Sequence, residues 1–319
     1  MTTPGAARRE TASKDTGGRR GRRDTGQGPS TVAGHVGALP LVEHAPYRPQ
    51  RTLPLRVELV RQLRRRRTQG IFGFLVALPL ILLAAFAIGG DDDPGSAPGF
   101  VDLAQQSGAN LTVFALFASA SFLLIVIIAL FAGDTVPSEA SWSSLRYLLA
   151  APVPRERLIR QKLVVAALST AVALVFLPAW TLLVGGLAYG WGPFVGPTGD
   201  QLSLGVFIGR LGIIVAYLLV QLSVVAAFAF LLGVLTDAPL AAVGGAVLLM
   251  ILSAILDSIT VLGGVRQGLP GHYAFAWADA LAPTVDFSDM ANGALWSVGY
   301  AIVALAYAVW HFLREDITS

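Results

Sequence analysis

Long apolar runs alternate with short polar segments over most of this chain. Six runs reach about the 20 residues a helix needs to cross a hydrocarbon core: 70–88, 109–132, 163–189, 206–235, 239–262 and 295–313. Pro79 and Pro178 fall inside two of them, where neighbouring helices can satisfy the freed carbonyls. Upstream, residues 1–51 show no apolar period and are rich in Gly, Arg, Thr and Pro. Such a segment has too little apolar surface to offset its ordering entropy and reads as a disordered basic cytoplasmic tail. No apolar run follows its arginine pairs closely, so it does not read as a signal peptide. Over 52–69, Leu55, Leu59 and Leu63 recur every four residues among arginines, after a Pro54 suited to a first helical turn. This predicts an amphipathic interfacial helix, with Arg64, Arg65, Arg66 and Arg67 as membrane-surface anchors on anionic lipid. A plain stop-transfer flank remains the alternative there.

Composition narrows the class. Of 319 residues, 54% are hydrophobic and only 13% charged, against roughly 25% charged in soluble domains. Residues 1–69 carry fifteen Lys/Arg and five Asp/Glu, leaving too few charges to coat the other 250 residues with water-facing side chains. A soluble enzyme is therefore excluded. The expected fold is an all-α multi-pass membrane protein of six transmembrane helices. Placing the N-terminus in the cytoplasm puts twenty-one of the twenty-three Lys/Arg inside, with only Arg210 and Arg266 outside. Both termini are then cytoplasmic. The basic tail reads as solvated, with no nucleic-acid partner.

Several chemistries lack their residues. The two lysines, Lys14 and Lys162, do not follow glycine, so no phosphate-cradling GxxxxGK[ST] loop exists. There is no HExxH, no GxSxG and no cysteine, and His35, His44, His272 and His311 are scattered. No catalytic residue, metal ligand set or cofactor is expected. Polar residues within the spans are Asn110, Arg210, Gln221 and Asp257, of which only Gln221 approaches the midplane. Gln221 is a substrate-pathway candidate, with helix-packing glue as its alternative. Asp257 and Arg210 suit structural roles: mutual pairing, a partner in Arg266, or water access. Small-xxx-small spacings at Gly205/Gly209, Gly186/Gly190 and Ala241/Gly245 suit close helix packing, internal or at a dimer seam. The segment 273–277, with Tyr273 and Trp277, suits a short interfacial or re-entrant helix, or aromatic anchoring at the lipid surface.

The longest internal loop, 133–162, carries a further pattern. Ser138 can cap a helix ending near Ala151, where Pro152 and Pro154 stop it. Trp142, Leu145 and Leu149 form one apolar stripe at i, i+3 and i+7. By spacing alone, that face can rest on lipid or insert into a groove on a cytoplasmic protein.

Glu139, the run Ser144-Leu145-Arg146-Tyr147-Leu148-Leu149-Ala150-Ala151-Pro152-Val153-Pro154-Arg155 and Lys162 resemble the ABC-2 family of ABC transporter permeases. So does the ending Trp310-His-Phe-Leu-Arg-Glu-Asp-Ile317. The chain departs from the family at Ser143, where glycine is frequent. The resemblance covers 53–319 and implies a six-span permease domain over 70–319. It further implies a coupling helix seated on a separate ABC ATPase subunit through Glu139, Trp142, Leu145, Arg146 and Leu149, with Arg155 bracing the loop. It implies two permease chains, identical or not, two ATPase chains that bind the ATP, and export across a plasma membrane. A non-transporting membrane scaffold is the alternative, and an ion-coupled carrier a further one. The arginine excess over lysine fits a GC-rich bacterial genome.

Overall fold

The computed structural model describes residues 55–89, 99–135, 155–236 and 238–314, all within the unit Arg48–Ser319. The tail 1–51 and the predicted coupling residues Glu139, Trp142, Leu145, Arg146 and Leu149 lie outside the described residues. The described chain is mostly helical: α1 (Leu55–Arg64), α2 (Arg66–Ile88), α3 (Phe100–Ala104), α4 (Gly108–Ala120), α5 (Leu123–Gly133), α6 (Arg155–Tyr189), α7 (Leu204–Gln221), α8 (Ser223–Thr236), α9 (Pro239–Ser258) and α10 (Ser288–Arg314). Five helical stretches, the continuous pair α7–α8 among them, are long and apolar enough to cross a membrane, and α4 with α5 makes a sixth if the bent pair counts as one.

The mostly helical chain is consistent with the expected all-α multi-pass class, with one small non-helical feature. Residues Phe194–Val195 (β1) and Gln201–Leu202 (β2) form a small antiparallel hairpin. Its tight turn closes through Gly196 N–H to Asp200 O at 2.8 Å, and Gly199 sits at φ 86°, where a side chain is strained. The other irregularity lies in the second span. It is bent by 60° between α4 and α5. Ser119 Oγ donates back to Ala115 O at 2.6 Å, a bond that bends helices, and Phe122 leaves the helical region at φ −141°, ψ −57°.

The bent pair nonetheless runs from one end of the bundle to the other. Gly108, at its start, meets Gly185 and Gly186 near the end of α6, whereas Asp134, just past its end, bonds Arg67 at the start of α2. A Cβ on Gly108 would lie 2.8 Å from Gly186 Cα, so only glycine permits this approach. Gly186 itself faces the Trp191 ring, and Gly245 faces Leu232, so both are internal packing positions. Gly205 and Gly209 meet nothing within 4 Å.

Packing separates core from periphery. Leu116, Leu124, Ile128, Phe131, Leu174, Leu177, Phe207, Ile214 and Phe230 are fully buried between α4, α5, α6, α7 and α8. Large apolar side chains stand exposed on the outward faces: Leu80 and Ile81 on α2, Val172 and Val175 on α6, Leu248, Ile251, Leu252 and Ile255 on α9, Ile302 and Val303 on α10. Such continuous apolar surface is unfavourable in water and is what a hydrocarbon solvent accepts. Next to Pro79 of α2, the indole N–H of Trp180 donates to Val76 O at 3.0 Å, capturing a carbonyl beside the one that Pro79 leaves without a donor.

Candidate functional site: a charged junction and an opposite cavity

The helix α1 sets the first feature. Its buried face is Glu58 and Gln62, one turn apart, whereas Val57, Val60 and Leu63 are exposed. The leucine period therefore does not mark the face turned to the protein. Lys162 Nζ, on α6, donates to Glu58 Oε1 at 2.6 Å, with both side chains less than a tenth exposed. Glu58 also lies 3.8 Å from Arg61.

Arg65 is extended (φ −66°, ψ 131°) and breaks the helix between α1 and α2. The guanidinium groups of Arg65 and Arg67 reach Asp134 at 3.3 and 2.6 Å. Burial raises Asp134 above the usual carboxylate range, while the charges of Arg67 and then Arg65 pull it back. Two of the four predicted anchors thus grip a carboxylate of the protein. Arg64 and Arg66 are exposed.

Asp134 and Lys162 flank the segment 136–154. Both are held by α1 or by its junction with α2. Neither Glu58 nor Asp134 stood out in sequence. The signals were present, since Glu58 is the lone acid of a basic helix and Asp134 the first charge after a long apolar run.

The remaining predicted residues divide. Gln221, at the α7–α8 boundary, is buried, and its Nε2 has no hydrogen-bond partner among the described residues. Asp257 pairs with Arg266 (3.4 Å) and, unpredicted, with His272 Nδ1 (2.5 Å). Arg210 does not pair with Asp257. Its guanidinium donates to the carbonyls of Ala280, Ala282 and Pro283. Arg155 opens α6. Trp277 is wholly buried, its ring 4.5 Å from that of Phe117, and so does not anchor at a lipid surface. The segment around it is two 3₁₀ stretches, Thr260–Gly268 and Ala276–Leu281, tied down by Tyr217 OH to Tyr273 O (2.7 Å) and by Gly271 N–H to Ser253 Oγ (2.9 Å).

The second feature lies at the opposite end from α1. A cavity of about 470 Å³ opens between α3, α4, the hairpin and the second 3₁₀ stretch. Phe100, Phe114, Phe117 and Phe194 supply its apolar wall, and Asp200 and Asp279 its charges. Asn110 fixes the hairpin wall. Its Nδ2 donates to Val195 O at 2.8 Å and its Oδ1 accepts from Val195 N–H at 3.0 Å, imitating a strand pair. Ser107 caps α4 by accepting from Asn110 N–H and donates to Asn110 Oδ1 at 2.9 Å. No group of three or more metal-ligating side chains occurs among the described residues.

A helical chain with up to six traverses, a charged junction at one end and a cavity at the other defines a class of multi-span architecture. Residues 74–318 match the family described as protein of unknown function (DUF2705), and the chain belongs to that family. No curated protein matches the chain.

Proposed function

We propose that this protein is the membrane-spanning permease subunit of an ABC exporter, driven by ATP hydrolysis on a separate subunit. In this reading the six traverses cross the plasma membrane with both termini in the cytoplasm, as the positive-inside distribution of Lys/Arg favours. The observation that carries it is the charged junction. Asp134 and Lys162, which bracket the loop resembling an ABC-2 coupling helix, are ion-paired to α1 and its hinge.

The mechanism follows from that connectivity. An ATPase pressing on Glu139, Trp142, Leu145, Arg146 and Leu149 displaces the loop. Its ends lead in sequence into α5 and α6, and the ion pairs at Asp134 and Lys162 pass the displacement to α1 and α2. The buried Glu58–Lys162 pair suits this task because separating it leaves a charge out of water. Arg155, at the start of α6, braces the loop beside the membrane. The partner subunit binds the ATP, and the permease pairs with a second permease chain. The apolar outward faces contact membrane lipid.

Reconstitution tests the reading. The chain, co-expressed with an ABC ATPase encoded beside it and placed in liposomes, accelerates ATP hydrolysis, and Trp142→Glu removes the acceleration. A scaffold without transport leaves hydrolysis unchanged by either step. An ion-coupled carrier loses transport when the ion gradient collapses while ATP persists.

A further inference from the structure

The cavity between α3, α4 and the hairpin has an unused chemistry. Its volume, about 470 Å³, falls within the range of small-molecule sites. Four phenylalanines line it, and Phe100 lies 5.0 Å from Phe114 and 5.7 Å from Phe117 between ring centroids. Aromatic faces present negative potential to an occupant. The charged groups on its wall are both carboxylates, Asp200 and Asp279. Asp200 accepts the hydroxyl of Thr198 at 2.6 Å, which leaves its charge in place.

The carboxylate of Asp279 makes no hydrogen bond or ion pair among the described residues, and its backbone carbonyl accepts from Ala282 N–H. The nearby cation Arg210, which does not line the cavity, directs its donors to the carbonyls of Ala280, Ala282 and Pro283. Burial, then Asp289, then Asp286 push Asp279 above its usual range, so the field around it is negative. The other polar group at the wall, Asn110, is consumed by Val195 and Ser107 and holds the shape. What remains is an aromatic chamber with an unpaired carboxylate at its edge.

We propose that this cavity binds an amphiphilic organic cation, with its apolar body among Phe100, Phe114, Phe117 and Phe194 and its positive centre paired with Asp279. Charge complementarity selects the cation over an anion or a neutral acyl chain. A neutral chain fills the aromatic volume yet leaves the carboxylate unpaired and partly desolvated. The assignment concerns binding alone and does not rest on the exporter reading.

Tetraphenylphosphonium and tetraphenylborate, nearly equal in size and opposite in charge, are the probes. Equilibrium dialysis uses the full chain in phosphatidylcholine nanodiscs, with protein-free nanodiscs subtracted. The expected result is a saturable component for the cation and none for the anion. Asp279→Asn weakens cation binding by roughly tenfold, the loss of one partly buried charge pair. Leu103→Trp, which fills the cavity from α3, removes binding. Equal saturable binding of both ions, no saturable binding of the cation, or cation binding untouched by both substitutions each overturns the proposal. The two-ion comparison on the unmodified chain decides it even where a variant misfolds. A bound zwitterionic lipid that the cation does not displace also overturns it.

Discussion

Removing the carboxylate of Glu58 is the sharpest perturbation of the charged junction. The Glu58 Oε1 to Lys162 Nζ distance is 2.6 Å, and the two side chains are 7% and 6% exposed. A pair so far from water contributes little relative to apolar replacements, but breaking one side leaves a buried charge and costs about 3–5 kcal/mol. Glu58→Gln falls toward the lower end of that range, because Lys162 still acts electrostatically with Asp134. Lys162→Met falls at its lower edge, because Glu58 retains Arg61 at 3.8 Å. The double variant Glu58→Leu/Lys162→Met leaves no half of the pair behind and costs about 1 kcal/mol or less. The singles are thus strongly non-additive. The loss is local, since among the described residues α1 packs mainly on α6 and α2, while most of the core lies elsewhere. Amide hydrogen exchange in detergent micelles reads it, with faster exchange over 55–64 in each single variant and near-native protection in the double. Additive single effects below about 0.5 kcal/mol, with α1 protection unchanged, refute a buried ion pair at this junction.

Other outcomes follow from the same geometry. Gly108→Leu drives a side chain into the backbone of Gly185 and Gly186 and lowers the thermal unfolding midpoint, at a cost of about 3 kcal/mol or more. Asn110→Ala strands the Val195 N–H and C=O and costs about 1–3 kcal/mol, read as faster exchange of the Val195 amide. The folded state holds Asp279 above its ordinary pKa, so its protonated form stabilises the fold. That contribution is full below the unfolded value near 3.9 and is lost as pH rises through the folded value. Asp279→Asn therefore flattens the decline in unfolding midpoint over the weakly acidic range. The chain has no cysteine, so single-cysteine labelling is clean. A cysteine at Arg266 reacts from outside intact cells, and one at Arg64 reacts only after permeabilisation.

The spans were legible because a hydrocarbon solvent imposes length and apolarity on contiguous residues. Pro239–Ser258 and Arg66–Ile88 each begin or end within about four residues of the expected boundaries. Bends were less visible. Ser119 and Ser121 interrupt the apolar run only briefly, and it is hydroxyl back-bonding and the Phe122 dihedrals that reveal the break. Pairings across sequence were invisible for a different reason. Glu58 and Lys162 are 104 positions apart, and no local period reports which loop end meets which helix. In α1 the exposed Val57, Val60 and Leu63 are compatible with the interfacial helix expected there, whereas no local period reported that Glu58 and Gln62 turn inward. The cavity combines three segments distant in sequence, so none of them alone signals it. Pairing with Arg266 was one of three roles left open for Asp257, and their separation of nine positions puts it within reach.

The central claim, a permease worked by a separate ATPase, is tested most directly by affinity purification of the full chain from its own cells in mild detergent, with ATP hydrolysis measured on the eluate. The account predicts an ABC-type ATPase in about equimolar amount, hydrolysing ATP. It further predicts loss of that subunit from Trp142→Glu preparations whose hydrogen-exchange pattern over the spans is unchanged. Absence of an ATPase from the eluate of the unmodified chain, or its undiminished presence with Trp142→Glu, contradicts the account.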